Sequence, residues 1–323
     1  MKVAITGGSG VVGRALVSHL VSGGFDVVAT SRSAEADATL AELGATTVRS
    51  DIGDYESLVA AFSGAARVFH VAGLNAMCVG DPVPMWEANI NGTLNVAEAA
   101  VEAGVARLVY TSSAAVLGEP QGAVGNEDSE HRGSILSRYE HSKNLAERAL
   151  QELDPDLDVV IVNPSSVQGP GRATGTGELI LDVVNGRLRL LADTSLSLVD
   201  IDDCARGHLL AAEHGEDRRR YVLNSFTIEA REAVDMISGV LGRRLDVRFV
   251  PPRLVSSAAP IADFLRWLKV PVPFCGEMIA TVAHGHRYDG SRATRELGLE
   301  YTEAVPFMER LVGWFRSEGL TDR

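Results

Sequence analysis

Cysteine is scarce, with three in 323 residues. Cys78, Cys204 and Cys275 lie far apart and form no C-x-x-C pair, so neither a disulfide framework nor a cysteine zinc site is expected. That pattern suits a reducing compartment. Positive charge is also short, with 30 Lys and Arg against 43 Asp and Glu and a formal net charge of −13. An acidic chain without a basic stripe is a poor match for nucleic acid or anionic lipid. The one basic run, Arg218-Arg219-Arg220, follows Glu216-Asp217 and is expected in a solvated turn. No apolar run reaches the ~18 residues that a bilayer span needs. The nearest, Leu254 to Phe274, is interrupted by Asp263, Arg266, Lys269 and three prolines. It reads as amphipathic helix and loop over a pocket, and no membrane insertion is expected. The chain opens directly on an apolar strand, with no signal segment ahead of it, so a cytoplasmic location is expected. Internal repeats and low-complexity segments are absent. With 46% hydrophobic and 23% charged residues, the composition is that of an ordered globular chain.

What is present is a regular alternation. Short β-rich runs at 2–6, 25–30, 46–50, 66–71, 105–111 and 157–163 alternate with segments of helical period. Leu94, Ala97 and Val101, for example, form an apolar stripe beside Glu98 and Glu102. Repeated βα units build a doubly wound, Rossmann-type parallel sheet covered by helices on both faces. After about residue 164, Gly and Pro punctuate 164–177 and 251–273, and the pattern loosens. The expected organisation is a dinucleotide-binding domain over 1–163 and a smaller, mostly helical substrate domain over 164–323. Leu198-Val199-Asp200-Ile201 looks like a strand returning to the main sheet, so 197–213 is expected to join the first domain.

The first strand runs straight into Thr6-Gly7-Gly8-Ser9-Gly10-Val11-Val12-Gly13 and then a helix. Gly7, Gly10 and Gly13 allow a tight turn and close backbone approach to a pyrophosphate, which the helix N-terminus attracts through its free N–H groups. Gly7, Ser9, Gly10, Val11, Val12 and Gly13 are therefore the candidate phosphate-binding residues. A nucleotide-triphosphate loop is excluded, because Arg14-Ala15 stands where Lys-Ser/Thr is required. The second strand ends in Ser31-Arg32, where an NAD site usually places a carboxylate for the ribose 2′-hydroxyl. A guanidinium there pairs with a 2′-phosphate, so NADP(H) is favoured over NAD(H). Asp51 and Ile52, after the third strand, are placed to cover the adenine edge, with a helix cap as the equal alternative for Asp51.

Tyr139 and Lys143 lie four apart at the start of a helical segment and so share one face. A phenol with a nearby ammonium has its pKa lowered and can exchange a hydroxyl proton while hydride moves at carbon. Tyr110-Thr111-Ser112-Ser113 closes the fifth strand, at the sheet edge where ligands of α/β folds bind. Ser113, ahead of Ser112, is the candidate for orienting a substrate carbonyl.

Taken together, TGGSGVVG (6–13), HVAG (70–73), NINGTLNVAEAA (89–100), YTSSAAVLG (110–118), YEHSK (139–143), NPSSVQGPG (163–171), LVDIDDCARGHLLAA (198–212) and YDGSRATRELGL (288–299) resemble the extended short-chain dehydrogenase/reductases over essentially the whole chain. Within that superfamily the branch most similar holds dihydroflavonol 4-reductases and 3β-hydroxysteroid dehydrogenases. The resemblance implies Ser113, Tyr139 and Lys143 as the catalytic group. It also implies cofactor contacts from Val71, Ala72 and Pro164-Ser165-Ser166-Val167, with Tyr139 and Lys143 reaching the same ligand. Arg32 matches the arginine of NADP-dependent members. Sugar-nucleotide epimerases share this core but carry an acidic residue near Ser31, and many have tyrosine at the position of Leu117.

Among other residues, His70 reads as a satisfied structural histidine and Asn89 as a hydrogen-bonder at the sheet's carboxyl edge. His284 and His286 have no acidic or cysteine partner at ligand spacing, so no metal is expected. Met77, Cys78, Met85 and Trp86 are candidates for the substrate pocket or for plain loop packing. The expected activity is NADPH-dependent reduction of a ketone or aldehyde on a moderately apolar small molecule, with a homodimer left open. The alternatives are an NAD(P)-dependent epimerase, dehydratase or 3β-hydroxysteroid dehydrogenase, and a non-catalytic NADPH-binding redox sensor. The intact Ser-Tyr-Lys group counts against the sensor.

Overall fold

A computed structural model describes residues 1–153, 156–272 and 274–322; Pro273, one of the expected chain breakers, lies outside them. The strands are β1 (Lys2–Thr6), β2 (Asp26–Ser31), β3 (Thr46–Arg49), β4 (Arg67–His70), β5 (Arg107–Thr111), β6 (Asp158–Pro164), β7 (Ser166–Gln168), β8 (Leu190–Ala192), β9 (Ser195–Asp200), β10 (Arg220–Leu223), β11 (Phe226–Glu229) and β12 (Arg248–Val250). Seven form the main sheet in the order β3-β2-β1-β4-β5-β6-β10, and every neighbouring pair is parallel. The order reverses between β1 and β4, which is the topological switch point of a doubly wound fold.

The strands are apolar on both sides because helices cover both faces. Val159, Val160, Ile161 and Val162 of β6 are all fully buried. One face packs Val160 and Val162 with Leu16, Leu20 and Ala211. The other packs Val159 and Ile161 with Leu58, Phe62, Ala97 and Leu150. A third cluster lies in the C-terminal region, where Phe307, Leu311 and Phe315 meet Ile180, Val234 and Ile237. That region is mixed but largely helical, with one three-stranded sheet, β11-β9-β7, and one two-stranded sheet, β12-β8.

Three expectations are corrected here. The 198–201 strand does not return to the main sheet; β9 pairs with β7 and β11 instead. The chain does return, one element later: helix Ile201–His214 packs against the first helix, Val11–Ser22, and β10 then extends the sheet beside β6. The basic run is not a solvated turn. Arg218 donates to the carbonyls of Leu150 and Leu157, Arg219 pairs with Glu216 and Glu296, and Arg220 donates to the Glu127 carbonyl. Finally, Cys78 and Cys275 form a disulfide with Cα atoms 5.5 Å apart, leaving only Cys204 free and buried. Their separation of 197 residues is why spacing could not pair them, and the pairing removes cysteine usage as an argument for a reducing compartment. Among the described residues, no helix is long and apolar enough to cross a membrane.

Candidate active site

β1 delivers the chain to Gly7, whose φ of +73° is left-handed. Added side-chain carbon at Gly7 would collide with the Ala72 backbone, and at Gly13 with the Gly7 carbonyl oxygen. The turn is therefore closed on itself and against the Val71-Ala72 segment after β4, and only glycine fits at these two positions. Gly10 caps helix Val11–Ser22 with no side-chain hydrogen bond and no acidic residue in the first turn. Its leading N–H groups, including those of Val11 and Val12, stay available to an anion. This cradle fits the pyrophosphate of a dinucleotide.

At the end of β2, the Ser31 hydroxyl donates to Asp37, whose other oxygen is paired with Arg49 at 2.7 Å. Arg32 is 74% exposed and touches Asp51 only at 3.5 Å. Of the two arginines here, Arg32 is the one loosely held and able to turn toward a ligand. Asp51 also accepts from the Gly53 amide, and Ile52 packs on the core under Gly92.

Ser137 caps helix Arg138–Gln151 by accepting from the Glu140 amide, which places Tyr139 in the first turn. Lys143 follows one turn later and is buried. Its ammonium donates to the Tyr110 hydroxyl at 3.2 Å and the Thr111 carbonyl at 2.9 Å. Burial lowers its pKa to about 8, with the Glu147 carboxylate opposing. The expected lowering of the Tyr139 pKa by Lys143 is not what the structure holds. Burial raises the phenol above its ordinary value, while a hydrogen bond with Ser113 and the charge of Arg172 pull it down. The reason is geometric: the ammonium is turned toward the end of β5 and Gly73, where added carbon would sit 3.3 Å from Nζ.

Ser113 caps the short 3-10 helix Ala114–Leu117, accepting from the Ala115 amide at 3.3 Å. The structure thus brings Ser113, Tyr139 and Lys143 to the carboxyl ends of β4, β5 and β6. Pro164 ends β6, and Ser166 and Val167 open β7. Between them the Ser165 hydroxyl is buried without a hydrogen-bond partner, as is Oε1 of the fully buried Gln168. A buried hydroxyl with no partner at the carboxyl end of β6 suits a ligand amide such as nicotinamide carries.

Several residues here were not singled out in the sequence. Glu147 is buried behind Lys143, accepts from Asn163 and has its pKa raised by burial. It lies four residues beyond Lys143, on the Tyr139 face, so helical period alone pointed to it. Arg172 acts on Tyr139 electrostatically, and its Nε is buried without a partner. No local pattern marks it. His70 hydrogen-bonds Thr6 and Thr93 through its two ring nitrogens, and Asn89 joins Leu74 to Ser142. Met85 is core, Trp86 stacks edge-on against His141, and Cys78 is in the disulfide. The premise about His284 and His286 fails: Glu119 reaches both, at 3.4 and 2.6 Å.

A phosphate cradle at the switch point, with hydroxyl, phenol and ammonium grouped at the same sheet edge, defines a dinucleotide-dependent enzyme of the doubly wound class. Residues 3–224 match the NAD dependent epimerase/dehydratase family, and the chain belongs to it, within the dihydroflavonol 4-reductase-like branch of the extended short-chain dehydrogenase/reductases. It is 32% identical to a putative dihydroflavonol 4-reductase of Synechocystis sp., over 98% of this chain and 94% of that one. It is 31% identical to sterol demethylase protein B of Methylococcus capsulatus, over 99% and 100%. The crystal structure of gox2253 superposes with a TM-score of 0.87 at 30% identity, covering 99% of both chains. The protein is an NAD(P)-dependent oxidoreductase acting on carbonyl or hydroxyl groups.

Proposed function

We propose that the protein is an NADPH-dependent reductase of ketones or aldehydes. The observation that carries this reading is Arg32, exposed and loosely held at the end of β2 where a carboxylate would otherwise grip the ribose. When bound, the dinucleotide supplies hydride to the carbonyl carbon. Gly7, Ser9, Gly10, Val11, Val12 and Gly13 would hold its pyrophosphate, Arg32 the 2′-phosphate, and Asp51 and Ile52 the adenine edge. Val71, Ala72 and Pro164 to Val167 would flank the nicotinamide side.

Ser113 donates to the substrate oxygen and orients it. Tyr139, kept protonated at neutral pH by its burial, delivers its phenolic proton to that oxygen. Arg172 and the hydrogen bond with Ser113 favour the phenolate that remains, while Lys143, in its ammonium form below about pH 8, reaches toward the ribose. Residues 164–323 supply the substrate pocket. A small carbonyl compound is the partner, without nucleic acid or membrane insertion. A homodimer is the assembly to look for.

The test is turnover and cofactor content. A reductase consumes NADPH stoichiometrically and releases NADP⁺, so gently purified protein should carry little cofactor and should bleach NADPH absorbance with a panel of carbonyl compounds. An epimerase re-reduces its own intermediate and gains by retaining its dinucleotide. Stoichiometric NAD⁺ after gel filtration, with sugar-nucleotide isomerisation needing no added cofactor, would replace this reading.

A further inference from the structure

Glu119 follows the left-handed Gly118 at the end of the Ser113-capped turn. His284 ends helix Gly276–His284, and the left-handed Gly285 turns the chain so that His286 comes back beside it. The two rings lie 4.7 Å apart. One oxygen of Glu119 sits 3.4 Å from Nε2 of His284 and 2.6 Å from Nδ1 of His286. The Glu119 side chain is 1% exposed and that of His284 7%.

The hydrogen bonding of this group is unfinished. The second Glu119 oxygen and Nε2 of His284 are both buried with no hydrogen-bond partner. Nδ1 of His286 has one in-plane position, yet both Glu119 and the Tyr288 hydroxyl approach it, at 2.6 and 2.8 Å. Burial alone would raise the Glu119 pKa, but the two histidines beside it hold it at about 2. Among the described residues, its ion-pair partners are these histidines alone.

The backbone around the histidines is held as a fixed frame. Gln121 donates to the Ala283 carbonyl, Thr194 to Val282, Ser195 to Gly285 and Ser197 to His286. Donor atoms from Glu119, His284 and His286 all lie within 4.8 Å of one another. A tetrahedral ion with bonds of 2.0–2.1 Å sets its ligands about 3.3 Å apart. The Glu119–His284 distance already matches, and the Glu119–His286 contact must open from 2.6 Å by about 0.7 Å.

We propose that Glu119, His284 and His286 form a binding site for a divalent transition metal of the zinc class, with an oxygen of Tyr288 or water as the fourth ligand. Two imidazoles and one carboxylate suit zinc, cobalt or nickel and disfavour calcium and magnesium, which prefer all-oxygen shells. The ion ties the segment leaving helix Gly276–His284 to the turn that carries Ser113, and so fixes the C-terminal region against the sheet edge. This inference is independent of which carbonyl compound the enzyme reduces. A second trio, Cys78, Cys275 and Glu277, has its sulfurs committed to the disulfide and serves as the control.

The test uses tag-free full-length protein, stripped with chelator and kept free of reductant. Added Co²⁺ should bind one per chain with the visible absorption of a tetrahedral N/O site, and Zn²⁺ should displace it one for one. His284→Asn and His286→Asn should each remove the spectrum, whereas Cys78→Ser with Cys275→Ser should keep it. NADPH titration and far-ultraviolet circular dichroism verify that each variant is folded. No saturable uptake by the wild type overturns the site, as does uptake that survives both histidine variants or disappears only with the cysteines.

Discussion

The sheet half of the molecule and its C-terminal region are held together by different kinds of contact. In the first, each functional group is placed by its own element: Gly7 to Gly13 by a strand-turn-helix unit, Tyr139 and Lys143 by successive helical turns. In the second, the decisive contacts join residues far apart in sequence. Cys275 pairs with Cys78, Glu119 with His284 and His286, Arg310 with Asp200 and Asp202, and Thr302 with Asp203. The proposed chemistry lies in the part built from local rules, while the C-terminal region depends on closure across the whole chain.

The sharpest test of this division is Tyr139→Phe. It should lower kcat by roughly 10²–10⁴ while leaving NADPH affinity nearly unchanged, because it removes only the proton donor. Near wild-type turnover on every substrate found would break the assignment of chemistry to the sheet edge. Cutting the long tie instead, with Cys78→Ser and Cys275→Ser, should reduce unfolding stability by ~2–4 kcal/mol in a denaturant titration and leave NADPH affinity in place. If cofactor binding falls as steeply as stability, the two halves are not energetically separate.

Arg32→Ala should narrow the preference for NADPH over NADH by ~1–3 kcal/mol, the range for a charge-assisted pair, as read by calorimetry. Equal wild-type affinities for the two cofactors would remove the NADP assignment. The smallest effect concerns His70, whose pKa burial, aided by Lys143, lowers from 6.5 to about 3. The unfolded chain takes up this proton as the pH falls below 6.5, and the folded chain does not until about 3. The unfolded state therefore binds more protons across that window, so the stability this residue confers is complete above it and lost as the pH falls through it. In His70→Gln, melting temperature should decline less steeply with acidification than in the wild type, and an unchanged slope would show that other groups dominate.

Much of the sheet half was legible because its signals are short-range. Each of the six strands read from the sequence appears with its ends shifted by no more than about two residues, the usual scatter of such boundaries. Tyr139 and Lys143, four residues apart, do share one face of the helix that Ser137 caps. Glu147 follows on the same face by the same helical rule. The lowered Tyr139 pKa was a false step of another kind. Helical spacing puts the ammonium on the correct face, but only the packing against Tyr110 and Thr111 sets which way it points.

By itself the sequence determined the glycine turn, the parallel βα order and the shared face of Tyr139 and Lys143, since each follows from steric or periodic rules acting within a few residues. Only the tertiary structure decided that β9 leaves the main sheet, that Cys78 meets Cys275, and that Glu119 sits between His284 and His286. Those pairings span up to 197 residues. They depend on strand register and on how the C-terminal core closes over the sheet edge, and no local pattern encodes either.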